Sequence, residues 1–184
     1  MRFLETPLAG AFLIECDRHA DARGFFARLW CRREFEAHGL AADFPQENLS
    51  VNDKAGTLRG LHYQRAPHAE TKVIRCTRGA LYDVMVDLRP DSPTYLRWHA
   101  VALNAEDYRA LYIPQGLAHG FQTMSDRTEA QYMVSTYYAP QAEGGLRYDD
   151  PTLNIRWPLP VSVISDKDRN WPTIDRGHIV TEMV

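Results

Sequence analysis

Residues 56–64, with the sequence GTLRGLHYQ, place an arginine and a histidine close to glycines. We predict a turn followed by a strand here, because glycine permits tight turns and close backbone approach. Side chains alternate between the faces of a regular strand, so Arg59 and His62 would lie on opposite faces. A bulge at Gly60 would bring Arg59 to the side of His62. A histidine so presented can act as an acid or a base near neutral pH, and a surface hairpin with a hydrogen-bonded histidine is the alternative.

Three further side chains along the chain could take part in such chemistry. Lys72 precedes the apolar pair Val73 and Ile74 and could reach into a pocket from its rim, although a lysine lying along the surface is the commoner case. His119 stands before a glycine at the predicted entry to a strand. Tyr132 lies in the middle of a predicted strand, where packing in the core with a hydrogen-bonded hydroxyl is expected.

Three aspartates belong to the same analysis. Asp83 and Asp87 are four residues apart in an apolar segment, so they would share one face of a strand. An acid on a face with apolar neighbours is either paired or functional, and we predict that Asp87 pairs with an arginine. Asp168 lies in the charged segment 164–169, which is typical of a solvated surface loop.

These residue types suit proton transfer without a metal. A histidine can remove a proton, a carboxylate can fix its tautomer, a lysine can stabilise an enolate, and a tyrosine can return the proton. A metal-binding cupin carries a His-x-His pair, but His62 is followed by Tyr63 and Gln64. We therefore expect no metal. No phosphate-binding glycine loop and no Gly-x-Ser-x-Gly nucleophile motif is present.

Composition limits the class of protein. The 184 residues are expected to form one domain, residues 1–184, and the net charge of −3 without a basic run argues against a nucleic-acid partner. Three scattered cysteines indicate reduced thiols in the cytoplasm. The first residues lack the apolar core of a signal peptide, and no apolar run approaches the length of a membrane span.

Hydrophobic patterning predicts a β protein. One amphipathic helix is expected at about residues 32–38, with Gly39 as its stop signal. Short segments rich in β-branched and aromatic residues, separated by turn signals, predict strands at residues 73–76, 81–88, 97–103, 110–113, 120–124 and 130–138. Many strands with scarcely any helix favour an antiparallel sandwich or barrel. Such a shape encloses a pocket where these side chains could meet.

An ordered series of short motifs covers most of the chain: residues 21–26 (DARGFF), 46–50 (QENLS), 56–64, 70–76 (ETKVIRC), 83–89 (DVMVDLR), 112–121 (YIPQGLAHGF), 148–151 (YDDP), 155–158 (IRWP) and 165–168 (SDKD). In these motifs the chain resembles the dTDP-4-dehydrorhamnose 3,5-epimerases. These are cofactor-free cupins that epimerise 4-keto-6-deoxy sugar nucleotides. The resemblance implies an all-β cupin-type jelly roll with a few short helices, no cofactor, and a homodimer that exchanges N-terminal strands.

The resemblance also implies roles for individual residues. His62 is similar to the family's catalytic base and Asp168 to its partner carboxylate, while Tyr132 is similar to the acid and Lys72 to the lysine that stabilises the enolate. The expected substrate is a dTDP-4-keto-6-deoxy sugar or a related nucleotide sugar. The residues expected to bind it are Arg23, Phe26, Gln46, Asn48, Arg59, His119 and Tyr138.

The sequence departs from the family pattern at three places. Arg28 stands where a glutamate often follows Phe26 by two residues, Leu49 replaces the histidine of an Asn-His-Ser motif, and the segment from Asn48 to Arg59 is one residue longer. These changes fall on the nucleotide side of the expected pocket, so they concern which nucleotide sugar is used. Three alternatives remain at this stage: a 3-epimerase that inverts one carbon, an epimerase of another nucleotide sugar, and a catalytically silent sugar-nucleotide-binding cupin.

Overall fold

Two antiparallel β-sheets face each other in the computed structural model, which describes residues 1–174. The six-stranded sheet has the order β1-β2-β10-β7-β12-β5 and the five-stranded sheet the order β13-β6-β11-β8-β9, while β3 and β4 form a separate hairpin. The strands are β1 Arg2–Glu5, β2 Phe12–Glu15, β3 Arg18–Asp21, β4 Gly24–Ala27, β5 Gln46–Asn52, β6 Leu58–Gln64, β7 Lys72–Arg78, β8 Ala80–Asp87, β9 Trp98–Asn104, β10 Ala110–Ile113, β11 Leu117–Thr123, β12 Thr128–Val134 and β13 Glu143–Gly145.

The helices are few and short, as predicted. Helix α1 spans Arg32–Ala37, a 3₁₀ turn spans Pro140–Ala142, and helix α2 spans Asp166–Arg169. The chain leaves α1 through Gly39, whose φ of +69° is a conformation that glycine adopts without strain. The all-β jelly-roll prediction is confirmed by this architecture. Within the described residues, no helix has the length and apolar character needed to cross a membrane.

Three apolar clusters hold the two sheets in place. The inner cluster lies between the sheets and includes Leu81, Met85 and Phe121 from the five-stranded sheet. A second cluster covers that sheet with later parts of the chain such as Leu146. In the third cluster, Phe35 of α1 packs on the six-stranded sheet. Because both outer faces are largely covered, polar side chains between the sheets can lie in a sheltered cavity.

A bulge interrupts the pairing of β6 with β11. His62 faces His119 and Arg59 faces Phe121, so β6 holds one more residue than β11 over this interval. Gly60 lies at the bulge with φ +101°, and a Cβ atom there would lie 2.6 Å from the His119 carbonyl oxygen. Only glycine fits so close to the neighbouring backbone. The bulge allows Arg59 and His62 to line one cavity, as the sequence suggested.

Three sequence-based expectations were wrong in detail. The strand expected at 120–124 begins at Leu117, so His119 lies in mid-strand and is buried. The strand expected at 130–138 ends at Val134, which leaves Tyr138 in the following loop. The segment 164–169 contains α2 rather than a solvated loop, and it buries Asp168. Strands β1 to β5 and β13 were not predicted, because they are short or carry weak alternation.

Candidate active site

Two cavities of about 270 and 290 Å³ lie between the sheets and share three lining residues. His62 comes from β6 of the five-stranded sheet, whereas Lys72 of β7 and Tyr132 of β12 come from the opposite sheet. A ligand in this space would therefore have a histidine on one side and a lysine and a tyrosine on the other. The structure brings these three predicted residues together.

His62 and Asp168 form a tight pair although 106 residues separate them in sequence. His62 Nε2 lies 2.6 Å from Asp168 Oδ1, and Asp168 Oδ2 accepts a hydrogen bond from the Gly60 N–H at 3.0 Å. Ser165 caps α2 by accepting from the Asp168 N–H at 3.0 Å. Two contacts therefore hold the carboxylate itself, one of them from the bulge, and a third holds the backbone of Asp168.

The charge state of this pair follows from its contacts. Burial raises the pKa of Asp168, but the hydrogen bonds from His62 and from the Gly60 N–H more than offset it, and the pKa is lowered overall. Asp168 is thus ionised at neutral pH and can only accept hydrogen bonds. His62 must then carry its proton on Nε2, which leaves the lone pair of Nδ1 free. Among the described residues, no hydrogen bond to Nδ1 is found, so this atom can serve as a base.

Trp171 closes the flank of His62, and sequence reasoning missed it. The two ring centroids are 6.3 Å apart with the planes at 70°. The indole lies directly on Gly145 of β13, where an added Cβ would lie 2.2 Å from the ring. The edge contact between the two rings limits how far the imidazole of His62 can turn away from Asp168. The only sequence signal was a tryptophan placed just after a charged segment.

Tyr132 presents a protonated phenol to the cavity. Burial raises its pKa, the negative charge of Glu70 raises it further, and Arg59 opposes this effect. The hydroxyl has no hydrogen-bond partner within residues 1–174, so the expectation of a bonded hydroxyl in the core was wrong. A half-buried, protonated and unengaged phenol is available to donate to a bound molecule.

Lys72 is buried rather than spread along the surface. It is the first residue of β7, and strands β10 and β12 pair with it on either side, opposite Ile113 and Val134. Its side chain is 11% exposed, and its Nζ lies 3.0 Å from Glu70 Oε1. The ion pair places a positive charge at the cavity wall beside Tyr132. Lys72 lines both cavities, as the pocket interpretation expected, and the surface alternative was wrong.

His119 repeats the histidine–carboxylate pairing on the neighbouring strand. Its Nε2 lies 2.9 and 3.0 Å from the two oxygens of Asp83, which is fully buried. Asp83 was predicted to be paired or functional, and its partner proves to be a histidine. Asp87, on the same strand, pairs with Arg89 at 2.7 Å, which confirms the predicted arginine partner. Arg59 Nε donates to Asn52 Oδ1 at 2.7 Å.

The first cavity has an amide and aromatic wall. Gln46 Nε2 donates to Asn48 Oδ1 at 3.0 Å, and the backbone N–H of Tyr138 donates to Gln46 Oε1 at 3.3 Å. The hydroxyl of Tyr138 donates to Glu143 Oε2 at 3.0 Å, and Glu143 Oε1 also binds Lys167 at 2.8 Å. All but Lys167 line this cavity. Glu143 was not predicted, because its strand of three residues carries no sequence signal.

Two predicted binding residues lie away from both cavities. Arg23 sits at the turn of the β3–β4 hairpin, where its highly exposed side chain pairs with Asp21 at 2.6 Å. Phe26 of β4 is 69% exposed and lines neither cavity. Of the positions that depart from the family pattern, Arg28 pairs with Glu34 at 3.3 Å, and Leu49 is exposed at the edge of the second cavity. Within residues 1–174, no cluster of three or more His, Cys, Asp or Glu could hold a metal.

Comparison with known proteins gives one consistent family. The model of the dTDP-4-dehydrorhamnose 3,5-epimerase family matches residues 5–176. The dTDP-4-dehydrorhamnose 3,5-epimerase of Methanothermobacter thermautotrophicus is 42% identical over 173 residues, which is 92% of each chain.

Solved structures agree with this result. The enzyme of the same name from Bacillus anthracis, with TDP and PPi bound, is 41% identical with a TM-score of 0.90, over 94% of this chain and 99% of that one. A 3'-monoepimerase from Streptomyces bikiniensis in complex with dTDP-quinovose is 37% identical with a TM-score of 0.83, over 91% of this chain and 85% of that one.

Proposed function

The chain belongs to the dTDP-4-dehydrorhamnose 3,5-epimerase family, and from this premise we propose that it inverts C3 and C5 of a dTDP-linked 4-keto-6-deoxy hexose through His62 and Tyr132. The chain is an isomerase of the carbohydrate epimerase type. The observation that carries the proposal is the His62–Asp168 pair, which faces the free phenol of Tyr132 across the cavity between the sheets.

Proton removal falls to His62. The 4-keto group makes the protons on C3 and C5 acidic, because the resulting carbanion is delocalised onto the keto oxygen as an enolate. Nδ1 of His62 takes the proton, and the imidazolium that forms is stabilised by the ionised Asp168. The lowered pKa of Asp168 supports this role, since the carboxylate stays charged over the pH range in which the histidine works.

Proton return falls to Tyr132. Inversion requires that the new proton arrive on the face opposite the one from which the first was taken. Tyr132 lies on the opposite sheet from His62, and its raised pKa keeps the phenol protonated until the enolate takes the proton. The imidazolium of His62 then loses its proton to solvent and the phenolate of Tyr132 regains one, so the same pair can act at the second carbon.

Enolate stabilisation falls to Lys72. A buried ammonium beside the developing oxyanion is worth much more than an exposed one, because the local dielectric is low. The side chain of Lys72 is almost completely withdrawn from solvent, and it lines both cavities with Tyr132. We therefore assign the keto oxygen to the neighbourhood of its Nζ.

Binding of the nucleotide portion falls to the remaining wall of the site. Arg59 would contact the diphosphate, for which a guanidinium is a suitable donor. His119, whose Nε2 is held by Asp83, would line the pocket beside it. Gln46, Asn48 and the ring of Tyr138 would contact the base or the sugar, since they line the first cavity. Aromatic faces stack on nucleobases without a strong requirement for the identity of the base.

We propose a homodimer in which the β3–β4 hairpin completes the partner's site. Arg23 and Phe26 are strongly exposed and lie outside the cavities of their own chain. A nucleotide site shared between two chains would need an exposed aromatic ring for the base and an arginine for the diphosphate, and Phe26 and Arg23 supply these. Leu49 and Val51 of the edge strand β5 are also exposed and would be covered by such a contact.

We also propose a single domain in the cytoplasm. Strands β1 and β2 from the start of the chain join β10, β7 and β12 in the six-stranded sheet, which supports one folding unit within the described residues. We extend this unit to residues 1–184. All three cysteines are free thiols, as is usual in a reducing compartment.

Incubation with dTDP-4-keto-6-deoxyglucose in deuterated water, followed by NMR and mass analysis, tests this function. Deuterium at both C3 and C5 with inversion of both centres is the expected result. The similarity to a 3'-monoepimerase makes inversion of one carbon the second candidate, and label at C3 alone would establish it. If neither C3 nor C5 is labelled, the 3,5-epimerase and the 3-epimerase functions are both contradicted. The chain would then be a catalytically silent binder or would act on another nucleotide sugar.

A further inference from the structure

Glu70 lies inside the cavity, and neither of the two proposed proton transfers uses its carboxylate. Its side chain is 12% exposed and lines the same cavity as His62, Lys72 and Tyr132. A carboxylate withdrawn this far from water is costly unless partners replace the lost hydration. Here the partner is Lys72, whose Nζ lies 3.0 Å from Oε1.

The position of this ion pair is fixed by the backbone between its two members. The N–H of Thr71 donates to Ser135 Oγ at 2.8 Å, and the carbonyl of Thr71 accepts from the Ser135 N–H at 3.0 Å. Ser135 directly follows β12, the strand that carries Tyr132. The backbone between Glu70 and Lys72 is therefore held in register with the strand that carries the phenol.

One side of the Glu70 carboxylate remains available. Within residues 1–174, no hydrogen bond or ion pair other than the one with Lys72 reaches it. We propose that Glu70 accepts a hydrogen bond from the hydroxyl group on C3 of the sugar and so selects substrates that carry this hydroxyl. The inference rests on the proposed function, because it takes the keto oxygen at C4 to lie at Lys72.

The chemistry of the ring singles out C3. Two carbons flank the keto carbon: C5 carries the methyl carbon and the ring oxygen, and C3 carries a hydroxyl. Only C3 therefore offers a donor beside the keto oxygen. Oxygens on neighbouring ring carbons lie a hydrogen-bond length apart, which matches the separation of Lys72 Nζ and Glu70 Oε1. The ammonium of Lys72 would thus donate to the keto oxygen, and the carboxylate of Glu70 would accept from the C3 hydroxyl.

Such a contact would produce selectivity through desolvation. A bound sugar displaces water from the free side of the carboxylate, and the C3 hydroxyl replaces the lost hydrogen bond. A 3-deoxy sugar displaces the same water without replacing it, so the charged oxygen is left unpaired. A hydrogen bond to a charged group corresponds to about 10- to 100-fold in kcat/KM.

Deuterium exchange at C5 provides a readout that both sugars share. We would measure kcat/KM for this exchange with dTDP-4-keto-6-deoxyglucose and with its 3-deoxy analogue, in the wild type and in Glu70→Gln. The amide keeps the shape of the side chain, but Lys72 engages its oxygen and the NH₂ group faces the sugar. Glu129→Gln is the matched control, because Glu129 also pairs with a basic residue, Arg78, but lies outside both cavities.

The expected result is a preference of about 10- to 100-fold for the 3-hydroxy sugar in the wild type and in Glu129→Gln. In Glu70→Gln the amide NH₂ can still donate to the oxygen of the C3 hydroxyl, but this neutral hydrogen bond is weaker than one to a carboxylate, so the preference should fall to about 2- to 10-fold. A preference in Glu70→Gln as large as that of the wild type, or a preference absent from the wild type, overturns the inference while leaving the proposed function in place. Absence of exchange at C3 and C5 in the wild type with the 3-hydroxy sugar would remove the proposed function and this inference together.

The pH profile supplies a readout that a merely structural role would not move. The charge of Glu70 is one of the two causes that raise the pKa of Tyr132, the other and larger being burial. Removal of that charge in Glu70→Gln should lower the pKa of Tyr132, so the alkaline limb of kcat should move to lower pH. An unchanged limb, together with an unchanged sugar preference, would show that Glu70 only supports the fold.

Discussion

His62 and His119 are direct register partners on strands β6 and β11, and each binds a buried carboxylate through Nε2. The two imidazoles have the same tautomeric constraint, but they differ in access. His62 is partly exposed to the cavity, whereas His119 is 7% exposed and its carboxylate, Asp83, is fully buried. The difference in exposure explains why only His62 suits the role of a base that must reach a bound sugar.

Replacement of Asp168 by asparagine should slow catalysis with little change in substrate affinity. The amide cannot stabilise an imidazolium, and it permits the wrong tautomer of His62. We expect kcat to fall on the order of 10²- to 10⁴-fold, with KM changed far less. Steady-state kinetics with Asp166→Asn as control measures this, since Asp166 is exposed on the same short helix. An Asp168→Asn enzyme with nearly normal kcat would exclude the assigned role.

Asp87 should contribute to stability in a pH-dependent way. Burial raises its pKa, but hydrogen bonds from Arg89, Ser92 and Thr94 more than offset this, so the pKa is lowered overall. A lowered pKa stabilises the folded state above the unfolded value of about 4, and this contribution is lost as the pH falls toward the folded value. Asp87→Asn should therefore cost about 2–4 kcal/mol at neutral pH.

Chemical denaturation across the acid range measures this effect. The difference in unfolding free energy between the wild type and Asp87→Asn should shrink as the pH falls below about 4. Asp91→Asn is the control, because Asp91 is exposed in the loop that follows. A difference that stays constant down to pH 2 would show that the charge of Asp87 is not the stabilising feature.

Mixed dimers should reveal whether Arg23 acts on the partner's site. An Arg23→Ala chain keeps its own His62, and a His62→Ala chain can lend its Arg23. If the hairpin crosses to the partner, co-refolding the two inactive or weakened variants should restore activity, because each mixed dimer contains one intact site. Activity no higher than that of the separate variants would place Arg23 on its own chain or outside the site. His62→Ala mixed with Asp168→Asn is the control, since both residues belong to one chain's pair.

The sequence predicted the architecture and the centre of the site because both depend on local signals. The glycines around Arg59 and His62 indicated a bulge, and the bulge is present. Asp168 was different: its segment resembles a surface loop, and only the resemblance to a family drew attention to it. Its burial depends on contacts with Gly60 and His62 more than 100 residues away.

Other parts of the site depend on tertiary register and could not be predicted. Glu70 and Lys72 look like ordinary surface residues in sequence, and only the pairing of β7 with its neighbours β10 and β12 withdraws them from solvent together. Trp171 reaches His62 because Gly145 leaves room for its ring. These relations are set by which strands become neighbours, and short strands such as β13 carry no signal for that.

The opposite roles of His62 and Tyr132 are the central claim, and a comparison of exchange with inversion in deuterated water tests it most directly. In Tyr132→Phe, His62 can still remove a proton and return a deuteron to the same face, so we predict label at C3 or C5 without inversion. In His62→Ala, we predict neither label nor inversion. Label in His62→Ala, or loss of all label in a folded Tyr132→Phe enzyme, would contradict the assignment of His62 as the base and Tyr132 as the acid.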